Sequence, residues 1–248
     1  MTTKRILIDV DTQNDFMEPK GSLYVPAPNR ATLACKKLLM ESLFDGIGET
    51  YDAVLGSVDS HAYDAWEFQE NGGPFPPHCV KGTWGWLRTW SDFPKRQRFV
   101  PMMPYRIDLL GGRVPPLGVF GEESEGAGWS PASHKDLARE AVENKVGIYF
   151  EKEVYSLFDN PLAEPVLQQV GCLLGGDWND IQIDVIGYCT GGYCVDAAVK
   201  GLLDMVSVNR ARIRVLGYAT AAIGGEEGYE KSRRELTELG AEWVERRR

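Results

Sequence analysis

Ile186-Gly187-Tyr188-Cys189-Thr190-Gly191-Gly192-Tyr193-Cys194-Val195 carries an apolar run through two glycines into a helical pattern. A strand that turns through glycine into a helix is the repeating unit of an α/β fold. Cys194 sits on that turn, where backbone N–H groups at a helix start lower a thiol pKa and can hold an oxyanion. A cysteine taken alone is more often a small buried hydrophobe. The rest of the chain reverses that reading.

Outward from this stretch, β-branched runs alternate with helical spacing. Arg5–Val10, Ala53–Val58, Val146–Phe150, Ile181–Gly187 and Ile213–Gly217 read as strands. Ala31–Phe44, Ala132–Glu143, Pro161–Val170, Val195–Val206 and Glu230–Arg246 read as helices. The alternation predicts an α/β fold with a mainly parallel central sheet and helices on both faces. Ligands of such sheets bind beyond the carboxyl ends of the strands. Asp11 follows the first strand, Asp59 and His61 the second, Lys152 the third, and Cys194 the turn after the fourth. Residues 1–248 read as one domain, with an aperiodic, Trp-, Gly- and Pro-rich insertion at about 84–131 that suits a lid or an oligomer contact.

The 248 residues carry a net charge of −9, which argues against a nucleic-acid surface or an anionic membrane as partner. No apolar run approaches the roughly 18 residues of a membrane span. Ile6-Leu7-Ile8 is broken by Asp9 and Asp11, so no secretory segment is visible. Five cysteines without framework spacing point to a reducing, cytoplasmic setting.

Asp11, Lys152 and Cys194 form an acid–base–nucleophile set: a carboxylate accepts the thiol proton and an ammonium favours the thiolate. Of the three histidines, His61 and His78 read as ligands rather than as a base for Cys194. Asp59-Ser60-His61 places two ligands on one side of an extended stretch, and His78 arrives behind Pro76-Pro77. A carboxylate with two imidazoles suits one divalent ion, zinc first, with iron or manganese as alternatives.

Leu7-Ile8-Asp9-Val10-Asp11-Thr12-Gln13-Asn14-Asp15-Phe16, Asp59-Ser60-His61 with His78, Phe150-Glu151-Lys152 and the turn to Cys194 together resemble the nicotinamidase and isochorismatase-like cysteine hydrolases. The resemblance covers most of the chain outside about 84–131. It implies the isochorismatase-like hydrolase fold, with Asp11, Lys152 and Cys194 catalytic and a metal on Asp59, His61 and His78. It also implies Phe16, Phe75 and Tyr193 around a flat substrate ring. Trp66 and Tyr155 are further lining candidates, for which core burial is the simpler expectation. The turn Thr190-Gly191-Gly192-Tyr193-Cys194 is one residue longer than the family pattern, leaving Tyr188–Cys189 and Cys189–Thr190 as alternatives for its cis peptide.

The implied reaction is release of ammonia from a small carboxamide, nicotinamide to nicotinate first, through a thioester on Cys194. It belongs to pyridine nucleotide salvage and takes place in a homo-oligomer. Two rivals remain enzymatic: a related amidase for a ureido, carbamoyl or acyclic amide, and a metallohydrolase in which metal-bound water attacks and Cys194 is structural. A third is a non-catalytic binding protein, against which the filled catalytic positions argue.

Overall fold

Alternation of side chains along each strand builds a sheet with two apolar faces. In β1 (Lys4–Val10), Ile6, Ile8 and Val10 join one buried cluster and Leu7 joins another on the opposite face. The computed structural model describes residues 3–27, 29–42, 50–91, 94–102, 106–107, 113–114, 133–206 and 211–246. Beside β1 lies β2 (Ala53–Asp59), and β3 (Gln97–Val100) forms one edge of the sheet. A separate antiparallel ribbon is made by β4 (Arg106–Ile107) and β5 (Arg113–Val114). The sheet continues with β6 (Gly147–Lys152), β7 (Ile181–Thr190), β8 (Arg212–Ala222) and β9 (Glu242–Trp243). Its order is β3-β6-β2-β1-β7-β8-β9, parallel throughout.

Helix α1 (Asn14–Met17) is a single turn after β1, and α2 (Asn29–Ser42) packs Cys35, Leu38 and Leu39 into the second cluster. On the first cluster lie α3 (His134–Val142), α4 (Ala163–Leu173), α5 (Cys194–Val206) and, through Leu236, α6 (Gly225–Glu238). Among the described residues, no helix is long and apolar enough to cross a membrane. A capping box between Ser133 and Asp136 starts α3, satisfying donors that a helix N-terminus otherwise leaves unpaired.

Two expectations need correction. The segment Glu230–Arg246 is not one helix. Gly240 takes φ 108°, Gly240 N–H donates to Thr237 O at 3.0 Å and Ala241 N–H to Leu236 O at 3.0 Å, which ends α6 in the left-handed manner glycine permits. The chain then returns as the edge strand β9. The insertion is also not all irregular. Its first part supplies β3 and lies against the chain after β1, with Asn14 N–H on Leu87 O at 2.9 Å and Thr89 N–H on Thr12 O at 2.8 Å. Much of 103–131 lies outside the described residues.

Register does the positioning. Asp59 pairs with Lys152 across β2 and β6, and Val10 stands opposite both Ser57 and Gly187. The carboxyl ends of four neighbouring strands therefore meet at one edge.

Candidate active site and metal centre

Asp11 leaves β1 with φ 47°, a left-handed conformation that aspartate tolerates better than most residues, and its N–H donates to Ser57 O at 3.1 Å. Ser57 Oγ donates to Asp11 Oδ1 at 2.7 Å. Lys152 Nζ lies 2.9 Å from Asp11 Oδ2, 3.0 Å from Asp59 Oδ1 and 3.5 Å from Cys194 Sγ. All four residues are buried. Three residues expected from separate strand ends are thus joined through one ammonium.

Burial opposes charge on Lys152, but Asp11 and Asp59 outweigh it and raise its pKa well above the ordinary value. Burial raises the Asp11 carboxyl despite Lys152, which makes it a better proton acceptor than an ordinary aspartate. Burial also pushes the Cys194 thiol well up; Lys152 pulls it down, and the carboxylates of Asp11 and Asp59 reinforce the rise. The direction is opposite to the lowered thiol pKa expected at a helix start beside an ammonium.

The second cluster is larger than the sequence indicated. His61 Nε2 is 3.0 Å from Asp59 Oδ2 and 2.9 Å from Glu67 Oε1. His78 Nε2 is 3.3 Å from Asp59 Oδ2 and 3.2 Å from Glu67 Oε1. One ligand atom from each of the four buried residues falls within 4.8 Å of the others. His78 Nδ1 is 2.8 Å from Pro76 O, the second contact that turns a ligating Nε2 lone pair inward. Two imidazoles and two carboxylates fit zinc, iron or manganese.

Glu67 escaped sequence reasoning because it has no ligand-like spacing from His61. Its only mark was a carboxylate between Trp66 and Phe68. The turn that buries it is closed by backbone bonds between 67–69 and 75, including Gln69 N–H to Phe75 O at 2.7 Å. Gln13 also went unassigned. Its amide clamps the Asp59 backbone, accepting from Asp59 N–H at 2.7 Å and donating to Asp59 O at 2.8 Å.

Phe16, Phe75 and Tyr193 line a small cavity of about 20 Å³ with Cys194, Asp59, Glu67 and His78. Tyr155 lines it too, edge-on to Tyr193 at 5.5 Å, and is 38% exposed rather than core. Trp66 is exposed and lines no part of it. Cys189 is buried on the same wall, and the Tyr188–Cys189 peptide is cis. His134 begins α3, apart from both clusters. A larger cavity of about 1060 Å³ opens at the amino edge of the sheet, beside Arg5, Tyr51, Arg214 and Trp243, and none of the expected site residues line it.

A scan against protein-family models finds no match, and a search of the curated proteins finds none. Solved structures do match. The pyrazinamidase of Pyrococcus horikoshii in complex with zinc aligns over 97% of this chain and 98% of its own, at 21% identity and TM-score 0.54. The yeast nicotinamidase Pnc1p bound to the inhibitor nicotinaldehyde aligns over 98% and 100%, at 18% identity and TM-score 0.55. An isochorismatase-like hydrolase from Alkaliphilus metalliredigens aligns over 97% and 94%, at 16% identity and TM-score 0.52. What this chain shares with them is the isochorismatase-like hydrolase fold.

Proposed function

We propose that the chain is a cysteine amidohydrolase that releases ammonia from a small carboxamide, nicotinamide first, through a thioester on Cys194. The observation that carries this reading is the single ammonium of Lys152 against Asp11, Asp59 and Cys194 at 2.9, 3.0 and 3.5 Å. Asp11 takes the thiol proton as Sγ attacks the carboxamide carbon, and Lys152 balances the charge that remains. Backbone N–H groups at the start of α5 hold the oxyanion. Asp11 returns the proton to the departing nitrogen, which leaves as ammonia. Water then attacks the thioester, giving its proton to Asp11, and the carboxylic acid leaves as the thiol re-forms.

Phe16, Phe75, Tyr155 and Tyr193 are aromatic walls suited to a flat ring, and structural neighbours named as nicotinamidase and pyrazinamidase support a heteroaromatic amide. Asp59, His61, Glu67 and His78 would hold a divalent ion, zinc first, which would supply Lewis-acid chemistry for a ring nitrogen or a water.

The test is ammonia release from nicotinamide, a ureido acid, a carbamoyl compound and an acyclic amide by zinc-loaded protein. Nicotinamide turnover that vanishes in Cys194→Ala is the expected result. A Cys194→Ala protein that keeps most of its activity would move the chemistry to the metal cluster. Turnover confined to the non-aromatic amides would move the substrate class.

A further inference from the structure

Two buried polar residues that the proposed reaction leaves unused hold the nucleophile turn from behind. Ser232, fully buried on α6, accepts from Gly191 N–H at 2.6 Å and donates to Asp196 Oδ1 at 2.6 Å. Asp196 stands on α5 two residues after Cys194 and is 1% exposed; its Oδ1 accepts from Ser232, and its Oδ2 is buried with no hydrogen-bond partner among the described residues. The turn has no slack on its other side. Gly191 takes φ 98°, a Cβ there would lie 2.5 Å from Ile223 O, and Ile223 N–H donates to Thr190 O at 3.2 Å.

The consequence is chemical. A two-glycine turn has many conformations, and an oxyanion hole works only when its donors are fixed before the reaction. Ser232 engages the Gly191 amide and ties it to Asp196 on α5, so that amide is spoken for and the oxyanion falls to amides nearer the thiol, at the start of α5. Tyr193 O accepts from Ala197 N–H at 2.8 Å, which locks that end of the turn into the helix.

We propose that Ser232 and Asp196 are positioning residues for acyl transfer: a hydrogen-bonded latch, built from α6 and α5, that fixes the Gly191-Gly192 turn and so the oxyanion donors. This rests on the cysteine amidohydrolase reading. The latch acts on the transition state. Its loss lowers kcat and leaves KM nearly alone, because the ground-state amide needs no oxyanion donor.

The experiment compares Ser232→Ala, Asp196→Ala and Asp196→Asn with wild type. The two alanine variants should lose about 10- to 100-fold in kcat for nicotinamide, less than the roughly 100- to 1,000-fold of removing an oxyanion donor outright because the donors are loosened and not deleted, with KM within about threefold. Asp196→Asn keeps an acceptor for Ser232 O–H and should stay within about threefold of wild type. Iodoacetamide alkylation of Cys194, which builds no oxyanion, should change little in Ser232→Ala. Amide hydrogen exchange at Gly191 and Gly192 should speed up in the same variant. An unchanged kcat in Ser232→Ala overturns the latch. So does a kcat that falls in step with alkylation, since the thiol itself has then moved. If Ser232→Ala does not fold, the contrast between Asp196→Ala and Asp196→Asn decides. Wild-type protein that hydrolyses no amide defeats the amidohydrolase reading and the proposed role together; equal exchange at the two glycines in wild type and variant overturns the latch alone.

Discussion

Lys152 Nζ and Asp59 Oδ1 are 3.0 Å apart, on strands whose register sets the two residues directly opposite each other. Asp59 turns its second oxygen to His61 and His78. One carboxylate thus joins the lysine of the thiol site to the imidazoles of the metal cluster. The lysine in turn carries Asp11, so the two sites share a single buried charge network.

Lys152→Met removes the ammonium that lies 2.9 Å from Asp11 and 3.0 Å from Asp59 and leaves two buried carboxylates to repel each other. Nicotinamide turnover should fall at least about 100-fold, while zinc affinity holds or rises because a positive charge beside Asp59 is gone. Lys145→Met is the control. Lys145 Nζ donates to Asp52 O at 2.8 Å, at the opposite end of β6, and its loss should leave turnover nearly unchanged. Steady-state kinetics and zinc competition on the two variants measure both effects.

Burial opposes charge on the histidine rings, but hydrogen bonds to Asp59 and Glu67 prevail and raise His61 to about 9 and His78 to about 10 in the metal-free protein. Folded-state values above the unfolded 6.5 mean that the imidazolium forms are stabilised by folding. That contribution is complete below pH 6.5 and is lost as pH rises through 9 to 10. Metal-free protein should therefore lose stability to urea between those limits. Zinc must displace the same protons, so calorimetry at pH 7.5 in buffers of different ionisation enthalpy should report about two protons released per ion.

Glu67→Gln keeps the shape of the fourth ligand and removes its charge. Zinc affinity should drop on the order of tenfold or more, with nicotinamide turnover recovering at high zinc. An affinity equal to wild type would make Glu67 a hydrogen-bond partner of the histidines rather than a ligand.

The strands themselves and the edge where they end were legible because β1, β2, β6, β7 and β8 are buried parallel strands whose apolar runs stand out; their order in the sheet was not. Asp11, Asp59, Lys152 and Cys194 follow from where those runs end. β3 was not legible, since an edge strand of four residues buries one side chain, Val100. Glu67 was hidden for a different reason. Its place depends on a turn closed by Phe75, eight residues on, and no local period encodes such a contact. The Cys194 thiol pKa was misjudged because it is set first by burial, which the local pattern does not show, and then by Lys152 against the carboxylates of Asp11 and Asp59, all from other strands.

Asp9 and Arg88 tie the first part of the insertion to the sheet. Arg88 Nη2 donates to Asp9 Oδ2 at 2.6 Å, both side chains are buried, Tyr149 OH donates to the same oxygen at 3.0 Å, and the guanidinium lies 4.0 Å over the Tyr149 ring. Arg88→Met leaves Asp9 charged in the core and should cost about 3–5 kcal/mol. Asp9→Asn added to it removes that charge and should recover a large part of the loss. Urea unfolding of the two single variants and the double variant checks the sign: a double variant weaker than Arg88→Met would mean that the ion pair is not what holds the segment.

Thiol reactivity separates a base-assisted nucleophile from a resting thiolate. Cys172 is the exposed cysteine, whereas Cys35, Cys79, Cys189 and Cys194 are buried. Burial and the flanking carboxylates hold the Cys194 thiol well above its ordinary pKa, and only the thiolate alkylates. At pH 7, iodoacetamide should therefore modify Cys172 first in metal-free protein, and the Cys194 rate should climb with pH without a plateau near neutrality. In the proposed mechanism turnover needs no standing thiolate, because there Asp11 removes the proton as the carbon–sulfur bond forms. Asp11→Asn should accordingly stop amide hydrolysis. It should also speed alkylation of Cys194 at pH 7, since a carboxylate that raises the thiol pKa has been neutralised while Lys152 remains. Loss of both activities together in Asp11→Asn would mean that Asp11 activates the resting thiol, and the order of proton transfer and attack would have to be reversed.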